Sequence, residues 1–148
     1  MLILLTFATL SAPTEQRTKI FVGIDGEHAA ELAPRQQREL RDSAEDIRRH
    51  LRKRFTLEVV ERPDDAEIRL LVTARRVEVG VSGETNYGAG HTQRQYQSRH
   101  VIEYHLHSDG IRHEAEAALA GSFVTWKRVA GAVVDDVEIW VSELRERL

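Results

Sequence analysis

The stretch 66–79, AEIRLLVTARRVEV, decides the fold. Ile68, Leu70, Val72 and Ala74 alternate with Arg69, Leu71, Thr73 and Arg75. That two-residue period marks a strand with two unlike faces. The alternation slips at Arg75-Arg76, because Val77 and Val79 are the next apolar pair. A one-residue slip of this kind predicts a bulge or bend.

On the amino-terminal side, Arg62-Pro63-Asp64-Asp65 reads as a turn and TLEVVE (56–61) as a short strand. Before it, Leu40, Ala44, Ile47, Leu51 and Phe55 recur at spacings of four, three, four and four, one face of a helix. Pro34 suits that helix's first turn, and the cations of 48–54 (RRHLRKR) suit its carboxyl end. KIFVGID (19–25) is a strand with Ile20, Val22 and Ile24 on one face and Lys19, Phe21 and Gly23 on the other. Residues 27–33 read as a loop or frayed turn.

On the carboxyl side, residues 80–99 hold Gly80, Gly83, Gly88 and Gly90 among Ser82, Asn86, Gln93, Gln95 and Gln97. They read as a flexible loop or a floppy hairpin tip; loops of that length are usually functional or disordered. His100–His107 is a strand, Ser108-Asp109-Gly110 a tight turn, and 111–116 its hairpin partner. A helix competes for the last segment, because HEAEAALA (113–120) has high helical propensity. Trp126, Val129, Val133, Val137, Trp140, Leu144 and Leu148 then form the stripe of a terminal helix. Both tryptophans are expected to pack against the sheet as main stabilisers.

The order β-α-β-β-β-β-α predicts an α/β (α+β) two-layer sandwich: one mixed sheet of about five strands with two helices on one face. The first β-α-β is a crossover with parallel strands; the later links predict antiparallel neighbours. The covered face would carry Ile20, Val22, Ile68, Leu70, Val72, Ile102, Tyr104 and Leu106. The open face would carry Phe21, Arg69, Leu71, Thr73, Arg75, Glu103, His105, His107, Arg112 and Glu114.

Composition narrows the function classes. The 148 residues are 41% hydrophobic and 30% charged, one globular domain rather than a disordered chain. With no cysteine, thiol catalysis, iron–sulfur clusters and thiolate zinc sites are excluded. The net charge of −3 gives no drive toward nucleic acid or membranes. The apolar run Leu2–Leu10 is too short to span a bilayer and has the length of a signal-peptide core, followed by the small Ser11 and Ala12. No basic residue precedes it. Residues 1–12 are therefore expected to be a signal peptide, 13–18 a linker, and 19–148 a single exported domain, periplasmic or secreted, with no membrane span in the mature chain.

The segment DSAEDIRRHLRKRF-TLEVVERPDDAEIRLLVTARRVEV (42–79) and the closing WKRVAGAVVDDVEIWVSEL (126–144) resemble small exported bacterial proteins of uncharacterised function. More distantly, the β-α-β-β order with "DAEI" leading into a strand is similar to periplasmic modules of the curli-secretion channel and of the amino-terminal part of the Tol-Pal propeller protein. The resemblance implies a fold and a cell-envelope setting, and carries no catalytic residue.

Chemistry is sparse. Glu103, His105 and His107 share one face of a strand, a donor set suited to zinc or a similar divalent ion. His113-Glu114 opens like a zinc-protease helix, but Ala117 stands where the second histidine belongs. Ser82 lacks a nucleophile-elbow setting, and no P-loop lysine follows the glycines. The basic run 48–54 suggests an anion site or a solvated face, and Asp42, Glu45 and Asp46 partly neutralise it. No catalytic set emerges. The chain reads as a non-catalytic interaction or assembly module of the bacterial envelope, binding a protein partner through Phe21, Arg69, Leu71, Arg75, Tyr87, Arg94 and Tyr96. A metal-binding protein or metal-dependent enzyme built on Glu103, His105 and His107 is the alternative. Nucleic acid is not an expected partner, and the oligomeric state is not legible.

Overall fold

A computed structural model of the chain describes residues 16–147. The signal-peptide reading of 1–12, the start of the linker and Leu148 lie outside the described residues. The elements are β1 (Thr18–Ile24), α1 (Gly26–Ala30), α2 (Pro34–Arg52), β2 (Leu57–Val59), β3 (Ile68–Asn86), β4 (Thr92–Ser108), β5 (Ile111–Ala120) and α3 (Trp126–Arg147). They form the expected two-layer α+β sandwich: one mixed sheet in the order β2-β1-β3-β4-β5, with α2 and α3 on one face. Among the described residues no helix is long and apolar enough to cross a membrane.

β2 and β3 both lie parallel to β1, one on each side. The link from β2 to β3 therefore passes β1, and the two strands are not the antiparallel neighbours expected. β3–β4 and β4–β5 are antiparallel hairpin pairs. Segment 111–120 is strand despite its helical propensity, because each residue pairs in unbroken register with β4, and tertiary pairing outweighs local preference. The segment 27–33 begins with a short helix, α1, whose first N–H groups are capped by the Asp25 carboxylate. α2 stops at Arg52, so Phe55 falls off its apolar stripe and is exposed.

All eight residues assigned to the covered face are buried beneath the helices. α2 contributes Leu40, Ala44, Ile47 and Leu51. α3 contributes Val129, Ala130, Val133, Val134, Val137 and Val141, while Trp126 and Trp140 pack only partly buried against this core. The tryptophans are therefore flank residues and not the anchors expected. Trp140 stacks on His113 of β5, and Trp126 meets the edge of His100 at the base of the β3–β4 hairpin.

Two differences matter for function. The bulge in β3 falls at Thr73, between Val72↔Tyr104 and Ala74↔Glu103, two residues before the predicted slip. It reverses the facing of residues 74–81, until a second register shift between Val81 and Gly83 restores it. Arg75, expected on the open face, lies instead on the helix side with its guanidinium 4.2 Å from the Trp126 ring centre, and Arg76 takes the open face. The second difference is 80–99. β3 and β4 remain paired through Asn86↔Thr92, so of the two readings of this segment the hairpin holds and the loop does not: it is a long antiparallel arm closed by a short turn at 87–91. Gly88, Ala89 and Gly90 all have positive φ there, a turn that glycine favours.

Candidate functional site

Three places collect the side chains singled out from the sequence. The first is the open sheet face. Glu103, His105 and His107 line up along β4 as expected, but neighbours engage the first two. Glu103 accepts from Arg76. The same guanidinium donates to Glu78 at 2.8 Å and to Glu116 at 3.1 Å, and Arg99 holds the other Glu78 oxygen at 2.7 Å. Fully buried Val101 sits between these side chains on the strand, opposite Arg76 and Ala118 in register. The stems of the long charged residues cover it. Hydrogen bonds from Arg76 and Arg99 hold the Glu78 carboxyl below its ordinary pKa, and the Glu78 and Glu116 contacts push Arg76 up.

His105 Nδ1 lies 3.0 Å from Arg112 Nη2. Arginine only donates, so Nδ1 is the acceptor and Nε2 carries the proton. Nε2 points toward Glu114 at 3.8 Å. The His105 and His107 rings are 6.2 Å apart at 60°. An open groove of about 310 Å³ runs past Thr73, Glu103, His105, Glu114 and Glu116. No group of three or more His, Asp or Glu side chains converges as a metal-ion site among the described residues. The strand aligns the proposed ligand set without focusing it, because Arg76 and Arg112 draw Glu103 and His105 into separate pairings.

The Arg76 network gives a pH-dependent expectation. Glu78's folded pKa is lowered, so its pairing stabilises the fold above the ordinary carboxylate value and is lost as pH falls through the lowered one. Arg76→Gln should lower the thermal midpoint by about 3 °C at neutral pH and low salt. The gap to the parent should close in acid and in high salt, since exposed pairs are screened. A gap that persists unchanged at low pH would remove the electrostatic account.

The interaction residues are divided by the fold. Phe21 and Leu71 pack side by side on the open face, over Gly23. A Cβ at Gly23 would lie 2.9 Å from the Phe21 ring, so the glycine makes room for it. Arg69 turns aside to the Pro63 carbonyl and Asp64. The basic run is likewise absorbed. Arg48 donates twice to the Val22 carbonyl, His50 Nε2 contacts the Lys127 carbonyl at 2.8 Å, and Arg54 bridges to Asp135 and Glu138 of α3. These three join helices and strands, while Arg49, Arg52 and Lys53 of the run stay exposed, Arg49 and Arg52 beside Glu45.

The arm is the third place. β1 leaves β3 after Ile24↔Val72 and β5 leaves β4 after Ala120↔Arg99. Beyond these points β3 and β4 continue as a two-stranded ribbon. Its helix-side face carries Val79, Val81 and Tyr96, exposed by 68, 52 and 65%, and Val77, exposed by 52%, stands at its base opposite His100, where β5 still pairs. The Glu84–Arg94 ion pair follows toward the tip, where the Tyr87 hydroxyl donates to Gln93. The opposite face is Glu78, Gly80, Gln95, Gln97 and Arg99. The sequence reading placed Val77 and Val79 on the strand without assigning them a binding role and left Val81 in the glycine-rich segment, although Val77-x-Val79-x-Val81 continues the strand alternation through Gly80. No protein-family model matches the chain, and no curated protein matches it in sequence.

Proposed function

We propose that this chain is an exported, non-catalytic interaction and assembly module of the bacterial cell envelope, with the β3–β4 arm as its binding element. One observation carries the reading: Val79, Val81 and Tyr96 stand on a single face of a ribbon that no helix or third strand covers among the described residues, with exposed Val77 at its base. A lone two-stranded ribbon is marginal in water, and a contiguous apolar stripe gains by burial. The partner this face fits is a protein surface that is apolar and uncharged where it meets the valines. The open sheet face is a poorer docking surface, because most of its charges are already paired with each other. Export is supported by the apolar run Leu2–Leu10 with Ser11 and Ala12 behind it.

The test is photocrosslinking in the native host, with a benzophenone amino acid placed at Val79 or Tyr96 on the apolar face and at Gln97 on the other. Adducts are expected from Val79 and Tyr96 only, in the envelope fraction, on a mature chain that has lost its first residues. Equal adducts from both faces, or none from either, would overturn the arm reading. A chain still beginning at Met1 in the cytosol would overturn export.

A further inference from the structure

The two edges of the sheet are treated differently. On the β2 side the edge is short and partly guarded. β2 has three residues, Pro63 follows soon after, and the unpaired part of β1 is sealed by Arg48, whose Nε and Nη2 donate to the Val22 carbonyl at 3.2 and 2.8 Å. These are the devices by which proteins keep edges from pairing. On the other side β5 runs for ten residues, IRHEAEAALA, in unbroken register with β4. It has no proline, no lysine and no bulge, and among the described residues no strand pairs with its outer edge.

We infer that β5 pairs antiparallel with β5 of a second copy of this chain, joining two sheets into one across a twofold axis at Glu114. Charge and paired length together select the register: an axis at His113 would also oppose Arg112 to Glu114, but it pairs only residues 111–115, against 111–117 for an axis at Glu114. An axis at Ala115 would set Glu114 against Glu116 twice, and like charges directly opposite destabilise a sheet. An axis at Glu114 sets Arg112 against Glu116, which Arg76 also holds, twice, with a single Glu114–Glu114 opposition at the axis, and Ile111 against Ala117 and His113 against Ala115 on the helix side. Each Glu114 at the axis keeps its own Arg112 at 3.0 Å. Half-exposed Ile111 gains cover. Strand pairing with its flanking side chains buries about 1,000 Å² in total, the lower end of specific interfaces, so the dimer is reversible. This contact is independent of the arm and uses none of its residues.

The absence of cysteine makes the test direct. Light scattering of the intact protein should give a concentration-dependent dimer mass. On mild oxidation with copper phenanthroline, Glu114→Cys should cross-link about tenfold faster than Arg112→Cys, because residue 112 sits about 13 Å along the strands from its own copy. An equimolar mixture of Arg112→Cys and Glu116→Cys should cross-link faster than either variant alone; it also serves if Glu114→Cys folds poorly by circular dichroism. A parent that is monomeric at every concentration overturns the inference, as does equal cross-linking at residues 112 and 114. A dimer that cross-links through Val79→Cys and not Glu114→Cys also overturns it, while leaving the arm reading intact.

Discussion

Leu70→Ala is expected to cost about 3–4 kcal/mol, and Leu71→Ala on the next residue about 1 kcal/mol or less. Leu70 is fully buried on the central strand, between Val22 of β1 and Leu106 of β4 and beneath the helices. Removing its side chain deletes core contacts and leaves a cavity that three strands and two helices cannot close. Leu71 points to the open face, only partly buried beside Phe21, where solvent fills the space it leaves. Urea denaturation of both variants decides the point. Equal losses would mean that both faces of the sheet are covered, and the two-layer architecture would fail.

Tyr104→Ala is expected to be at least as damaging, about 3–5 kcal/mol. Tyr104 is among the largest fully buried side chains, on β4 at the base of the arm and opposite the bulge at Thr73. Its hydroxyl lies 3.5 Å from Asp136 on α3, a long contact that adds little, and burial raises the pKa of both groups. Tyr104→Phe should therefore cost about 1 kcal/mol or less. The comparison separates packing from hydrogen bonding: if the phenylalanine variant loses as much as the alanine variant, the hydroxyl contact and not the ring anchors α3 to the sheet. Asp136 shifts stability in the direction opposite to Glu78. A carboxyl whose folded pKa is raised favours the fold at low pH, and that contribution declines as pH rises through the raised value. Trp140→Ala should lose less than Tyr104→Ala, since Trp140 is only partly buried against His113.

The patterning of the chain by itself determined the layers. Ile20, Val22, Ile68, Leu70, Val72, Ile102, Tyr104 and Leu106 declare one buried face because strand side chains alternate, and the α2 and α3 stripes declare what covers it. Alternation also placed Glu103, His105 and His107 on a common face. It carried no information on whether they converge. That depended on Arg76 and Arg112, which come from neighbouring strands. Tertiary structure alone decided the rest. Thr73 and Ala74 suit either face, so only pairing with Tyr104 and Glu103 located the bulge, and with it the sides taken by Arg75 and Arg76. The glycines of 80–90 signal freedom in isolation, yet cross-strand partners from Gln93 to Ser98 hold the same backbone extended as an arm. Periodicity is a local property and reports which side of an element is apolar. Register, bulge position and the guarding of an edge are set by pairs of residues far apart in the chain, and they exist only once those residues meet.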